Sequence, residues 1–193
     1  MSKQLQLFLL FILLTGAVSA QKGDNQIRLL AEGGFPTHEE FNPGVGGYVK
    51  FLYGVGKSGQ VSLTTGLSKF RASVTLIGRN GEHSSIRTIP VLLGYKINVK
   101  HFYFEPSLGY GELGGRDNIG GDWARQSVGA FYSNLGVGYE YQRWDVGVRY
   151  QVAKGAENIS AGNWYRRAFE LAGIHIGYTL WQRPGTADHT PRP

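Results

Sequence analysis

The sequence contains no cysteine. That excludes disulfide staples and a lipid-anchored N-terminal cysteine, so the fold must come from burial or from contact with lipid. Past its N-terminus it has no long apolar run, and no later segment reads as a membrane-crossing helix. Membrane strands escape that test almost completely. Charge of one sign is not concentrated anywhere. The formal net charge is +6, but the basic residues are scattered and leave no patch for nucleic acid. Five histidines (His38, His83, His101, His175 and His189) lie far apart without ligand spacing, so no metal site is expected. The 29 glycines show no triplet period, which excludes a collagen-like chain.

What is present begins with an export signal. Lys3 precedes the apolar run at 7–14, and Ala17-Val18-Ser19-Ala20 supplies a small-x-small ending. These are the parts of a secretory signal peptide, residues 1–20, cleaved after Ala20. The run is too short for a spanning helix, which takes about 20 residues.

The stretch 89–111 sets the pattern for the rest. Ile89, Val91, Leu93, Tyr95 and Ile97 form an apolar row; Pro90, Leu92, Gly94 and Lys96 alternate with them. After a short polar break, Phe102, Phe104, Pro106, Leu108 and Tyr110 alternate with Tyr103, Glu105, Ser107 and Gly109. A period of two means strands, and the short break makes a hairpin. Eight such segments can be counted, at 26–35, 45–54, 60–71, the two of this hairpin, 127–141, 144–152 and 168–181. Connections near 55–59, 98–101 and 142–143 are short. Those near 36–44, 72–85, 112–125 and 154–166 are long and polar. A meander sorted into tight turns at one end and long loops at the other predicts an all-β, eight-stranded antiparallel up-and-down transmembrane β-barrel, with an apolar outer face and a mixed interior. A secreted soluble β-sandwich is the alternative fold. Pro90 and Pro106 lie within strands and predict local bulges.

The export signal, the strand at 89–97 and the Phe102–Gly111 strand together resemble the small outer-membrane β-barrels of Gram-negative bacteria, the porin-like family that includes the transmembrane domain of OmpA. The resemblance covers residues 26–181. It implies a barrel domain at 21–181, a disordered periplasmic tail at 182–193, a monomer in the outer membrane, and no cofactor. The implied partners are outer-membrane lipid, lipopolysaccharide and the barrel assembly machinery, with no nucleic acid and an unidentified extracellular ligand.

With the apolar rows facing lipid, Arg28, Glu32, Lys50, Lys96, Glu105, Glu140, Arg149 and His175 face inward. An eight-stranded interior is just wide enough to be filled by side chains, and buried charges must pair. A plug of ion pairs is expected, not an open channel. Phe41, Trp123, Trp164 and Tyr165, with Arg116, Arg125, Arg166 and Arg167, are expected at the outer loops and rim. Tyr141, Trp144 and Trp181 are expected in a periplasmic aromatic girdle.

Catalytic motifs are weak. Gly109–Gly114 matches G-x-G-x-x-G, but no helix opens after it. Gly56-Lys57-Ser58 recedes as a P-loop because Phe51 stands where the first glycine belongs. Glu82-His83-Ser84-Ser85 is the only local triad-like cluster, which keeps a lipid A acyl hydrolase as an alternative. The functional expectation is a non-catalytic integral barrel acting in envelope integrity, surface binding or adhesion, or minor permeation.

Overall fold

A computed structural model describes residues 24–37, 41–55, 59–71, 85–119, 122–155 and 168–183. The signal segment, Gly56-Lys57-Ser58 and the residues beyond Arg183 lie outside them.

The strands are β1 (Asn25–Pro36), β2 (Gly44–Val55), β3 (Gly59–Arg71), β4 (Ser85–Val99), β5 (Phe102–Ile119), β6 (Asp122–Tyr141), β7 (Trp144–Gly155) and β8 (Phe169–Arg183). Each pairs antiparallel with the next, and β1 pairs with β8, so the sheet is a closed barrel. Closure leaves no unpaired strand edge. Two tight turns, at 100–101 and 142–143, carry Lys100 and Gln142 at positive φ, which reverses the chain within two residues.

The period of two becomes two opposite environments. Leu29, Phe51, Leu63, Val91, Leu93, Phe104, Val137, Val148 and Ile176 all point outward; Leu93 is 61% exposed. The alternate positions point in, and Lys96 is 0% exposed. This inverts the water-soluble arrangement, because the outer wall is a continuous apolar belt far larger than any patch tolerated in water.

Two expectations fail here. The stretch 112–125, read as a Gly- and Asp-rich loop, continues the β5–β6 hairpin, with Glu112 opposite Gly129 and Ile119 opposite Asp122. Nor do the prolines make bulges. Pro90 pairs opposite Gly111 and Pro106 opposite Leu135, with the register unchanged on either side. The sheet tolerates them by leaving short gaps in the β3–β4 and β4–β5 ladders instead. The one register shift lies in the closing β1–β8 seam, between Ile27 and Arg28. That last strand also runs past Trp181 to Arg183, which pairs with Asn25, so the first residues assigned to the tail belong to the sheet.

The interior divides along the barrel axis. Toward the long connections it is apolar: Phe70, Ile86, Leu92, Leu113, Val128, Ala130, Tyr132, Ala153, Phe169 and Leu171 form one cluster. Gly34 and Gly44 make room for it, since a Cβ on either would run into the Phe70 ring. Phe169 packs between Phe70 and Phe41, with ring centroids 5.3 and 5.7 Å away. Phe70→Ala should therefore destabilise the barrel by about 3 kcal/mol, as emptied core aromatic sites do. Urea unfolding from lipid vesicles reads this as a lower midpoint with an unchanged slope.

Candidate functional site

Toward the tight turns the interior is charged. Glu140, at the end of β6, accepts from both Arg28 on β1 and Lys96 on β4. Arg28 also donates to Asp145 Oδ2 at 2.9 Å and to Gln26. One tier up, Lys50 on β2 donates to Glu105 Oε2 at 2.8 Å, and Ser62 donates to Glu105 Oε1 at 2.6 Å. Arg149 on β7 donates to Glu32 Oε1 at 2.7 Å, with its guanidinium 4.2 Å from the centre of the Tyr48 ring. Apart from Arg28–Gln26 within β1, each link joins residues far apart in sequence, so it forms only when the sheet closes.

Tyr103 and Asp145 are the residues that sequence reasoning missed. The Tyr103 hydroxyl donates to Asp145 Oδ1 at 2.8 Å and lies 2.9 Å from His175 Nε2. Its ring also carries the Lys96 ammonium, 4.2 Å from the centroid. One signal was available. Gly138 and Gly147 pair across β6 and β7, and a Cβ on either would collide with Tyr103. Two inward glycines side by side mark a space that some large inward side chain fills.

The polar tiers enclose a cavity of about 20 Å³, lined by Glu32, Tyr48, Lys50, Tyr103, Glu105, Arg149 and His175 among others. That is room for about one water. Above it stands the apolar cluster. A conduit would need an interior row free of both.

Phe41, expected at the outer rim, lies in the β1–β2 connection at the long-connection end and packs half-buried against the apolar cluster. Burying its ring there removes it from water at the barrel mouth. Arg116, Trp123 and Arg125 have strand backbones, with Arg116 opposite Arg125 and Asn118 opposite Trp123. Trp164, Tyr165, Arg166 and Arg167 lie outside the described residues. Tyr141, Trp144 and Trp181 are exposed at the tight-turn end, and Trp144 stacks edge-on with Tyr178. Of the triad-like cluster only Ser85 is described, at the start of β4. The G-x-G-x-x-G stretch lies wholly within β5. Among the described residues no group of three or more acidic or histidine side chains could hold a metal ion.

Comparison with solved structures gives the fold class. The N-terminal β-barrel domain of Pseudomonas aeruginosa OprF superposes with a TM-score of 0.55 at 12% identity, covering 81% of this chain and 99% of that one. Ail, the attachment invasion locus protein of Yersinia pestis, in complex with the heparin analogue sucrose octasulfate, superposes at 0.59 with 11% identity, covering 84% and 100%. Neisserial surface protein A superposes at 0.53 with 10% identity, covering 82% and 99%. The chain has the fold of these small eight-stranded outer-membrane barrels. No family model and no curated protein matches the sequence.

The ion pairs predict an asymmetry on mutation. Glu140→Ala leaves the buried Lys96 without a carboxylate, while Arg28 keeps Asp145 and Gln26, and should cost about 3 kcal/mol. Replacing both partners of one pair, Lys50→Met with Glu105→Leu, should cost far less than the sum of the two single changes. Equilibrium unfolding of the singles and the double tests this; additive losses would mean the pair is not coupled.

Proposed function

We propose that this protein is a monomeric, non-catalytic barrel of the outer membrane, exported by its N-terminal signal, inserted by the barrel assembly machinery, and acting in surface binding or envelope integrity. The observation that carries this reading is the inverted distribution of side chains. The apolar belt has only one compatible surrounding, lipid. The interior is packed from one end to the other, with ion pairs below and an aromatic cluster above, which argues against permeation as the main role. The buried Tyr103, Asp145 and His175 satisfy one another and hold no nucleophile beside a substrate-sized space, which speaks against a hydrolase.

With work at the interior disfavoured, the long connections become the working part. The extended β5–β6 hairpin at that end carries Arg116, Trp123 and Arg125, and the sequence between β7 and β8 carries Trp164, Tyr165, Arg166 and Arg167. Arginine beside aromatic rings is a common composition for a binding surface. Ail was crystallised with a sulfated sugar. A polyanionic glycan is accordingly the first extracellular ligand class to try on these loops.

Refolded in detergent, the protein should run faster on an SDS gel unboiled than boiled, since a closed barrel resists SDS until heated. In planar bilayers it should give no stepwise conductance, with or without Lys96→Ala. Solubility in plain buffer without a gel shift would instead indicate a secreted β-sandwich. Steps of conductance that change with Lys96 would indicate a pore.

A further inference from the structure

On one side of the barrel the apolar belt ends in an unbalanced group of cations. Lys69 on β3 stands directly opposite Arg87 on β4, and Arg71 stands opposite Ser85. All three cationic residues are exposed on the outer wall. Like charges directly opposed across a sheet destabilise it unless something negative lies between them. Arg87 has a partner, Glu112 Oε1 at 2.5 Å. Among the described residues, the Lys69 and Arg71 side chains have no acidic partner within bonding distance. Among the described residues, one carboxylate thus faces three cations.

The place of this cluster on the wall identifies what supplies the missing charge. It sits at the long-connection end of β3 and β4, directly above outward-facing Leu67, Ile89 and Val91. Val45 of β2 lies opposite Lys69 and is 73% exposed. A ligand touching both zones is anionic at the top and apolar below. A soluble polyanion has no use for the apolar strip, whereas a phosphorylated lipid uses both.

We propose that Lys69, Arg71 and Arg87 form a binding site for the phosphate headgroup of a bilayer lipid, whose acyl chains lie along Val45, Leu67, Ile89 and Val91. The site rests on the reading of the protein as a membrane barrel. It gives the barrel one preferred lipid-contacting side. Glu112 limits it by occupying Arg87.

The test is native mass spectrometry of the detergent-solubilised protein titrated with diphosphoryl lipid A and with the same lipid stripped of phosphate. Heat modifiability on a gel is checked first for every variant, and its absence in the wild type would sink the barrel reading itself. With folded protein, Lys69→Gln combined with Arg71→Gln should weaken diphosphoryl lipid A about tenfold, the size of one or two lost charge-assisted contacts. The phosphate-free lipid should bind the wild type and this variant alike. Glu112→Gln, which frees Arg87, should tighten the phosphorylated lipid. Lys154→Gln, on the outer wall of β7, should change nothing. Equal binding of the phosphorylated lipid by wild type and the Lys69/Arg71 variant overturns the site. So does a variant whose only loss is in binding sucrose octasulfate, since that would make these cations a soluble-polyanion surface.

Discussion

Closure of the sheet is the constraint from which the rest follows. With β1 hydrogen-bonded to β8, every strand has two neighbours and no edge is left to aggregate. Eight strands fix a narrow bore that side chains can fill. Each inward residue therefore meets its counterparts across the bore as well as its neighbours along the sheet. Arg28 reaches Glu140 and Lys50 reaches Glu105 across this space, not along a strand. The bulge between Ile27 and Arg28 lies in the closing seam, where β1 must adopt both a register with β2 and a register with β8. A bulge absorbs such a mismatch at the cost of one unpaired residue.

Filling the bore with charge is not the most stabilising choice in itself. Taking ions out of water costs several kcal/mol each, which their pairing roughly returns. Here the ions are sorted. The charged tiers occupy the tight-turn half, and Glu140, the member nearest the end, keeps 24% of its side chain exposed to water. The opposite half is sealed by Phe70, Phe169 and Phe41, so the charges are open to solvent mainly from one end. Single partners cannot be removed freely, because three of the four interior carboxylates serve more than one donor, Glu32 with Arg149 being the exception. Glu140 serves Arg28 and Lys96, Glu105 serves Lys50 and Ser62, and Asp145 serves Arg28 and Tyr103. The network thus specifies one mutual placement of seven strands, β1 to β7, more than it adds stability.

The number of strands and the inward or outward sense of their residues were legible because alternation is a local property. In β7, Trp144, Val146, Val148 and Tyr150 alternate without exception with Asp145, Gly147, Arg149 and Gln151. Strand length was less legible. Gly114, Gly115, Asp117 and Asn118 disfavour strands on their own, and pairing with β6 overrides that preference. The packing of Phe41 onto the cluster was illegible for a different reason: a polar, proline-flanked segment says nothing about an open apolar mouth nearby. Tyr103 and Asp145 were visible as inward residues but not as partners, because the distance between β5 and β7 across a closed bore is not written in either strand.

The two faces of the wall answer to different solvents, and this bears on how the molecule is used. The interior is already neutralised by its own carboxylates, so a ligand entering there would have to break an existing pair. The loops and the outer rim bear no such obligation. Lys69 and Arg71 stand where the apolar belt meets the polar surface, and a charge at that boundary keeps part of its hydration while gaining a partner. Binding there costs little desolvation, unlike binding in the bore. With its interior charges paired among themselves, the barrel offers an incoming anion less resistance at the rim than in the bore.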